Sequence, residues 1–257
     1  AAALESGIRE IWYDCGGKID VNGQTFSCHE QNGHGTLSMK LAMAKSCNTY
    51  FIKLGLMLDR AKFRNMAADM SFGKSYQLAD SIVSSAGTLP SQSELNNSAE
   101  VANFAFGQGK LTAAPLQVTL MTSCIINGGK LVYPRLVMGT TTDGKTVQEN
   151  EAKAPMNVLS ESAARTIKEY LDYDVMSTKN QYARPLTVSA GGKTATAQTG
   201  VFENGSEKLN TWFTGYFPAE QPKYAVTVLC ENGTWGNTSA APVFQKIADR
   251  VTELEEE

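Results

Sequence analysis

Histidine is nearly missing from this chain of 257 residues: there are two, His29 and His34. A serine–histidine–acid enzyme would have to use one of them, and both lie in a cysteine-bearing stretch near the start. Positive charge is not in excess, with 23 Lys and Arg against 26 Asp and Glu and a net charge of −3. That excludes the basic field that gathers nucleic acid, so no nucleic-acid partner is expected. No apolar run approaches the length of a membrane span. No segment has the charged start and short apolar centre of a signal peptide, and no internal repeat is visible. Apolar residues are not scarce: at 42% they suffice for a sizeable core and are too many for disorder. The opening Ala1-Ala2-Ala3-Leu4-Glu5 has mid-helix composition. The residues are therefore expected to be a piece of a longer protein, with any anchor or address upstream.

Along the chain, residues 1–8 read as the end of a helix closed by Gly7. Lys18–Val21, Asn22-Gly23 and Gln24–Ser27 predict a hairpin with a type I′ turn. Thr36-Leu37-Ser38 leads into a helix over Leu37, Leu41 and Ala44, and helix resumes at Tyr50–Gly55. Residues 59–84 predict helix with breaks near Gly73, and 85–99 a loop. Pro115 and Gly128-Gly129 frame a helix. Leu131–Val137 predicts an edge strand interrupted by Pro134, and 141–155 a polar surface hairpin plus loop. Ser160 caps a helix to about Tyr173. Strands follow at Lys193–Thr199, Thr211–Phe217 and Tyr224–Leu229. The last helix runs from Ala241-Pro242 to about Leu254, with a fraying acidic tail, Glu255-Glu256-Glu257. Helices first, then a three-strand meander, then one helix make an α+β fold. It is a single domain, 1–257, with a mainly helical part (1–155) and a helix-plus-sheet part (156–257).

Two stretches carry chemistry. In Gly191-Gly192-Lys193-Thr194-Ala195-Thr196-Ala197, Thr194 and Thr196 share one strand face, Lys193 adds an ammonium, and the small residues allow close approach. Such a strand can bind a carboxylate through hydroxyls, ammonium and its own N–H groups. It also reads as an edge strand with incidental threonines. In Ser46-Cys47-Asn48, a hydroxyl and an amide at a helix junction can shuttle a proton and hold a peptide carbonyl. The same pair also reads as a helix cap.

In combination the motifs say more. Ser46-Cys47-Asn48, Gly107-Gln108-Gly109 with Pro115-Leu116-Gln117, and Lys193-Thr194-Ala195-Thr196 occur in this order. Together they closely resemble the transpeptidase domain of class B penicillin-binding proteins. Gly33-His34-Gly35 and Trp212-Phe213-Thr214-Gly215-Tyr216-Phe217-Pro218 extend the likeness across nearly the whole chain. The resemblance implies a β-lactamase/transpeptidase-like fold, with an antiparallel sheet flanked by helices plus a mainly helical subdomain. It implies a peptidoglycan D,D-transpeptidase acting on D-Ala-D-Ala stem peptides by serine acyl transfer, inhibited by β-lactams and needing no catalytic cofactor. Ser46 would relay protons and Asn48 bind the donor-peptide amide. Lys193 would support the electrostatics. Thr194 and Thr196 would hold the terminal carboxylate, and the Thr196 N–H would form half of the oxyanion hole. The implied partners are stem peptides, β-lactams and other cell-wall synthesis proteins. The implied location is the outer face of the bacterial cytoplasmic membrane, by an N-terminal anchor outside these residues.

Two departures stand out. Ala195 replaces the glycine of Lys-Thr-Gly, adding a methyl at the substrate-binding strand. Ser-x-x-Lys, the nucleophile motif, matches only Ser71-Phe72-Gly73-Lys74, which lies after the second motif, where the family does not place it. The nucleophile, and the family's first two strands, are therefore expected upstream, leaving the edge of Tyr224–Leu229 uncovered. A non-catalytic sensing or scaffolding module of the same fold is the alternative. A β-lactamase would need a water-activating base that cannot be identified.

Five cysteines remain. Cys124 and Cys230 read as buried small hydrophobes. Cys15, Cys28, His34 and Cys47, spaced Cys-x12-Cys-x5-His-x12-Cys, make a closed tetrahedral zinc set. A Cys15–Cys28 disulfide and free thiols compete with it. Some class B relatives carry a metal site just before the second motif, which tips the expectation to a structural zinc.

Overall fold

The computed structural model describes residues 1–176 and 182–257. Its N-terminal part begins with the short helix α1 (Ala2–Glu5), which ends at Gly7 in left-handed conformation. Strand β1 (Tyr13–Cys15) is followed by the hairpin β2 (Lys18–Val21) and β3 (Gln24–Ser27). Asn22 (φ 53°) and Gly23 (φ 86°) supply the two positive φ angles that a type I′ turn demands. Strand β4 (Gly35–Leu37) then pairs antiparallel with β1, Cys15 opposite Gly35. This two-strand ribbon is not apparent in the sequence, because its paired residues lie 20 to 24 positions apart and each strand has only three residues.

Ser38 caps α2 (Met39–Ala44) through its hydroxyl, which accepts from Leu41 N–H. The chain turns at Ser46 into α3 (Asn48–Leu56), and Asp59 caps α4 (Arg60–Asp69). The helix expected over 59–84 stops there. Ser71 and Gly73 both take positive φ, and the chain then forms the ribbon β5 (Gln77–Ala79) and β6 (Ile82–Val83). Helix α5 (Ser98–Ala105) packs on α3.

Helix α6 (Pro115–Ile126) starts at proline, as its frame predicts. Gln117 is fully buried and ties three segments together. Its Nε2 donates to Ser71 O, Lys74 O and Ala86 O, and its Oε1 accepts from Ala114 N–H. The strand expected over Leu131–Val137 shrinks to β7 (Lys130–Leu131). Pro134 has no N–H for a ladder, and residues 132–135 leave the sheet pattern. The polar hairpin appears as β8 (Gly139–Thr140) with β9 (Gln148–Glu149). Strand β10 (Met156–Asn157) pairs with β7.

Helix α7 (Glu161–Met176) precedes the main sheet of β11 (Gly191–Glu203), β12 (Ser206–Phe217) and β13 (Tyr224–Gly233), in the order β11-β12-β13. The outer edges of β11 and β13 have no strand beside them among the described residues. Helix α8 (Ala241–Glu256) covers one face. There the rings of Phe213 and Phe244 meet at a 42° tilt, 4.5 Å apart, and join Phe217 and Val228 in one core. Helices α6 and α7 cover the other, where Tyr216 packs with Ile167 and Leu171. The alternation along β12 sets this up: Phe213 and Phe217 face α8, Thr214 and Tyr216 face α6 and α7. The acidic tail is not loose at Glu255, whose carboxylate accepts from Tyr224 OH at 2.6 Å and lies 3.4 Å from Lys223 Nζ.

Candidate functional site

The polar triplet after α2 is held at its middle residue. Cys47 is fully buried and is the N-cap of α3, with no side-chain cap bond. Ser46 and Asn48 therefore do not serve as the helix cap that their residue types allow. Ser46 is exposed and has φ 50°, a left-handed conformation rare for serine. Its N–H bonds Met43 O, while among the described residues no hydrogen bond engages its hydroxyl. Asn48 Nδ2 donates to Ser27 O at 3.2 Å, so the amide is braced by the end of β3.

Lys193, Thr194, Ala195 and Thr196 lie on β11 with an open outer edge. Their partners on β12 are Thr214, Phe213, Trp212 and Thr211. Lys193 points to the α7 side, where its Nζ stands 3.6 Å from Asp174 Oδ2 and donates to Thr194 Oγ1 at 3.3 Å. Burial pushes the lysine's pKa below its usual range, and the Asp174 carboxylate pushes back. Ala195 is exposed, so its methyl meets solvent. Thr196 Oγ1 accepts from Gly236 N–H at 3.2 Å. The glycines before Lys193 make room for neighbours in the core, not for a ligand: a Cβ on Gly192 would come 2.5 Å from Phe213. Among the described residues no hydrogen bond joins Ser46 or Asn48 to the β11 residues.

Ser71 is no nucleophile by its surroundings. It is fully buried, and its hydroxyl donates to Tyr76 OH at 2.6 Å.

Four side chains do come together. Cys15 from β1, Cys28 after β3, His34 before β4 and Cys47 before α3 place their ligand atoms within 4.8 Å of one another. His34 Nδ1 is 3.6 Å from Cys15 Sγ and 3.5 Å from Cys28 Sγ, and Cys28 Sγ is 4.0 Å from Cys47 Sγ. Tetrahedral zinc with ordinary bond lengths has S···S edges of about 3.8 Å and S···N edges of about 3.6 Å. These three edges fit that figure, and the remaining edges are no longer than 4.8 Å. All five cysteines are free thiols, so Cys15 and Cys28 are not bridged. Thr49 Oγ1 lies 3.2 Å from Cys15 Sγ and 3.4 Å from Cys47 Sγ, a hydroxyl able to brace thiolates. The thiol of Cys47 beside it lowers the Cys28 pKa.

Sequence reasoning missed Asp174 and Gly236. Asp174 had a signal: it is an acid on the apolar face of a helix, in step with Ile167 and Leu171. Gly236 had none, since its contact with β11 is made by the return of the chain after β13.

Comparison with known proteins places this arrangement. Residues 1–249 match the family described as penicillin binding protein transpeptidase domain. Stage V sporulation protein D of Bacillus subtilis is 31% identical over 268 residues, covering 99% of this chain and 41% of that protein. Peptidoglycan D,D-transpeptidase MrdA of Haemophilus influenzae is 27% identical over 243 residues, covering 86% of this chain and 37% of that protein. Among solved structures, penicillin binding protein 3 of Mycobacterium tuberculosis complexed with ampicillin superposes with a TM-score of 0.86 at 24% identity, covering 99% of this chain and 60% of that one. The chain thus spans about two fifths of the length of the curated relatives it matches.

Proposed function

Because this chain belongs to the penicillin-binding protein transpeptidase family, we propose that it is the larger part of a peptidoglycan D,D-transpeptidase domain. Its substrates are D-Ala-D-Ala stem peptides, and β-lactams acylate the same centre. The observation that carries the reading is β11, whose outer edge has no strand beside it among the described residues and which carries Lys193, Thr194 and Thr196 in the order of the family's third motif. In the reaction a serine oxygen, supplied by a segment outside these residues, attacks the penultimate D-Ala carbonyl. The terminal D-Ala leaves with a proton on its amine, and the acyl group passes to the amine of a second stem peptide. Thr194 and Thr196 hold the terminal carboxylate, and the Thr196 N–H donates to the oxyanion. Lys193 adds positive charge at that end. Ser46 relays the proton, and Asn48, braced on Ser27, binds the donor amide. The substrate puts the domain at the outer face of a bacterial cytoplasmic membrane, among cell-wall synthesis partners. A membrane anchor would lie elsewhere in the protein, since no described helix is long and apolar enough to cross.

Fluorescent penicillin tests the reading. The 257-residue chain should carry no covalent label, because it has no Ser-x-x-Lys in the family's position. The polypeptide extended upstream should be labelled, and Lys193→Ala should abolish that label. A labelled 257-residue chain overturns the upstream nucleophile. An unlabelled extended polypeptide makes the domain a non-catalytic module of the same fold.

We further propose that Cys15, Cys28, His34 and Cys47 hold one structural zinc ion. Supporting it are a donor set that zinc favours, edge lengths that suit a tetrahedron, and burial of all three thiols. The ion would supply no catalytic chemistry. It would pin the hairpin and β4 to the start of α3, and so fix the residue between Ser46 and Asn48.

A further inference from the structure

Helix α7 carries an acid where its spacing calls for an apolar residue. Ala163, Ala164, Ile167, Leu171 and Val175 form its buried face, and Asp174 lies among them, fully buried. A carboxylate alone in such a place would stay protonated. Asp174 is 3.6 Å from Lys193 Nζ. The other acid on this part of α7, Asp172, is taken: its carboxylate accepts from Tyr216 OH at 2.7 Å and Lys168 Nζ at 2.8 Å.

Elsewhere, among the described residues, the lysine's hydrogen-bonding and cross-strand neighbours are neutral. Its row across the sheet continues through Thr214 and Thr227, whose hydroxyls are 2.9 Å apart. From α6, Thr122 lies 2.7 Å from Thr214 Oγ1, and Thr119 lies 2.8 Å from Thr227 Oγ1. These four hydroxyls bond one another and bring no charge. On β11 itself the neighbours are Thr194 and Ala195. Among the described residues Asp174 is the one acid paired with Lys193.

We propose that Asp174 is a positioning residue for the third-motif lysine: it keeps the Lys193 ammonium cationic and holds it in place beside β11. An ammonium has three N–H groups. Thr194 Oγ1 takes one, and the Asp174 carboxylate, 3.6 Å from Nζ, holds the ammonium by charge. Without the carboxylate, burial would favour the neutral amine, which offers substrate no positive charge. The inference rests on reading Lys193 as the third-motif lysine.

The first test uses the 257-residue chain with lysine labelled with 13C at Cε, the Lys193 signal being identified by its loss in Lys193→Met. Asp174→Asn should lower the Lys193 pKa by about one pH unit or more, about a tenfold loss of proton affinity. An unchanged titration overturns the inference. If Asp174→Asn does not fold, adding Lys193→Met should restore folding, because both buried charges are then gone. A double variant that stays unfolded overturns it. The second test uses the extended polypeptide and penicillin acylation against pH. Asp174→Asn should move the alkaline limb to lower pH, and a limb that does not move overturns the positioning role. A wild type that is never acylated sinks the transpeptidase reading instead, and the lysine titration still decides the pairing.

Discussion

Gly236 donates its N–H to the Thr196 hydroxyl at 3.2 Å and rests on the main chain of Ala195. A Cβ at 236 would lie 2.7 Å from Ala195 O and 2.9 Å from Trp212 O. Backbone atoms on both sides cannot yield as a side chain can. Gly236→Ala should therefore destabilise by about 1–3 kcal/mol, the usual cost of overpacking. It should also shift Thr196 and slow penicillin acylation of the extended polypeptide. Thermal unfolding and acylation rate check the two effects, and an unaltered melting point would remove this contact from the account of the strand.

The cysteine–histidine cluster predicts one zinc per chain by elemental analysis of protein purified under reducing conditions. A chelator should lower the melting temperature. Zinc at about a hundredfold excess over Kd adds about 2.7 kcal/mol, about 5–10 °C for a domain of this size. Cys47→Ser should lose both the metal and the chelator effect. Metal-free protein with an unchanged melting point rejects the site.

Gln117 predicts a loss of stability. Gln117→Leu keeps the volume but leaves Lys74 O, Ala86 O and Ala114 N–H without the glutamine, and Ser71 O with only the Lys74 N–H. Each buried group left unpaired costs about 1–3 kcal/mol, partly recovered by relaxation, so a fall of about 2–4 kcal/mol in denaturant unfolding is expected.

Tyr50 predicts an alkaline limb of stability. It is fully buried, and its hydroxyl donates to Ile11 O at 2.9 Å. Burial pushes its pKa from 10.0 up to about 12. Below pH 10 the phenol is protonated in both states and contributes no pH dependence. Between pH 10 and 12 the unfolded chain loses the proton first, so the folded state binds more protons and stability falls as pH rises. Tyr50→Phe should cost about 1 kcal/mol at neutral pH for the lost hydrogen bond. It should also flatten the decline between pH 10 and 12 in melting curves.

Legibility in the sequence followed how local each signal was. The Asn22-Gly23 turn was readable because two residues set their own φ angles. The ends of α6 were readable from Pro115 and the glycines after it. The sheet was readable from alternation, as in Phe213, Thr214 and Tyr216. The β1–β4 ribbon was hidden because three-residue strands carry no period. Residues 59–84 looked helical because nothing local announces that Ser71 will take positive φ. The acidic tail was expected to fray on charge alone, whereas Tyr224 and Lys223 reach Glu255 from β13 and the turn before it. At the candidate site the cysteine–histidine set was legible from residue type and spacing. The Asp174–Lys193 pairing was not, because it depends on how α7 lies across β11.

Ser46 has one more consequence. At φ 50° a side chain strains the main chain by about 1–2 kcal/mol, and glycine would not. Ser46→Gly should therefore cost little or no stability, unlike most serine-to-glycine changes, while erasing the hydroxyl. Selection for folding alone would let glycine drift in at this turn. If Ser46 relays the proton as proposed, serine at this turn trades durability for chemistry.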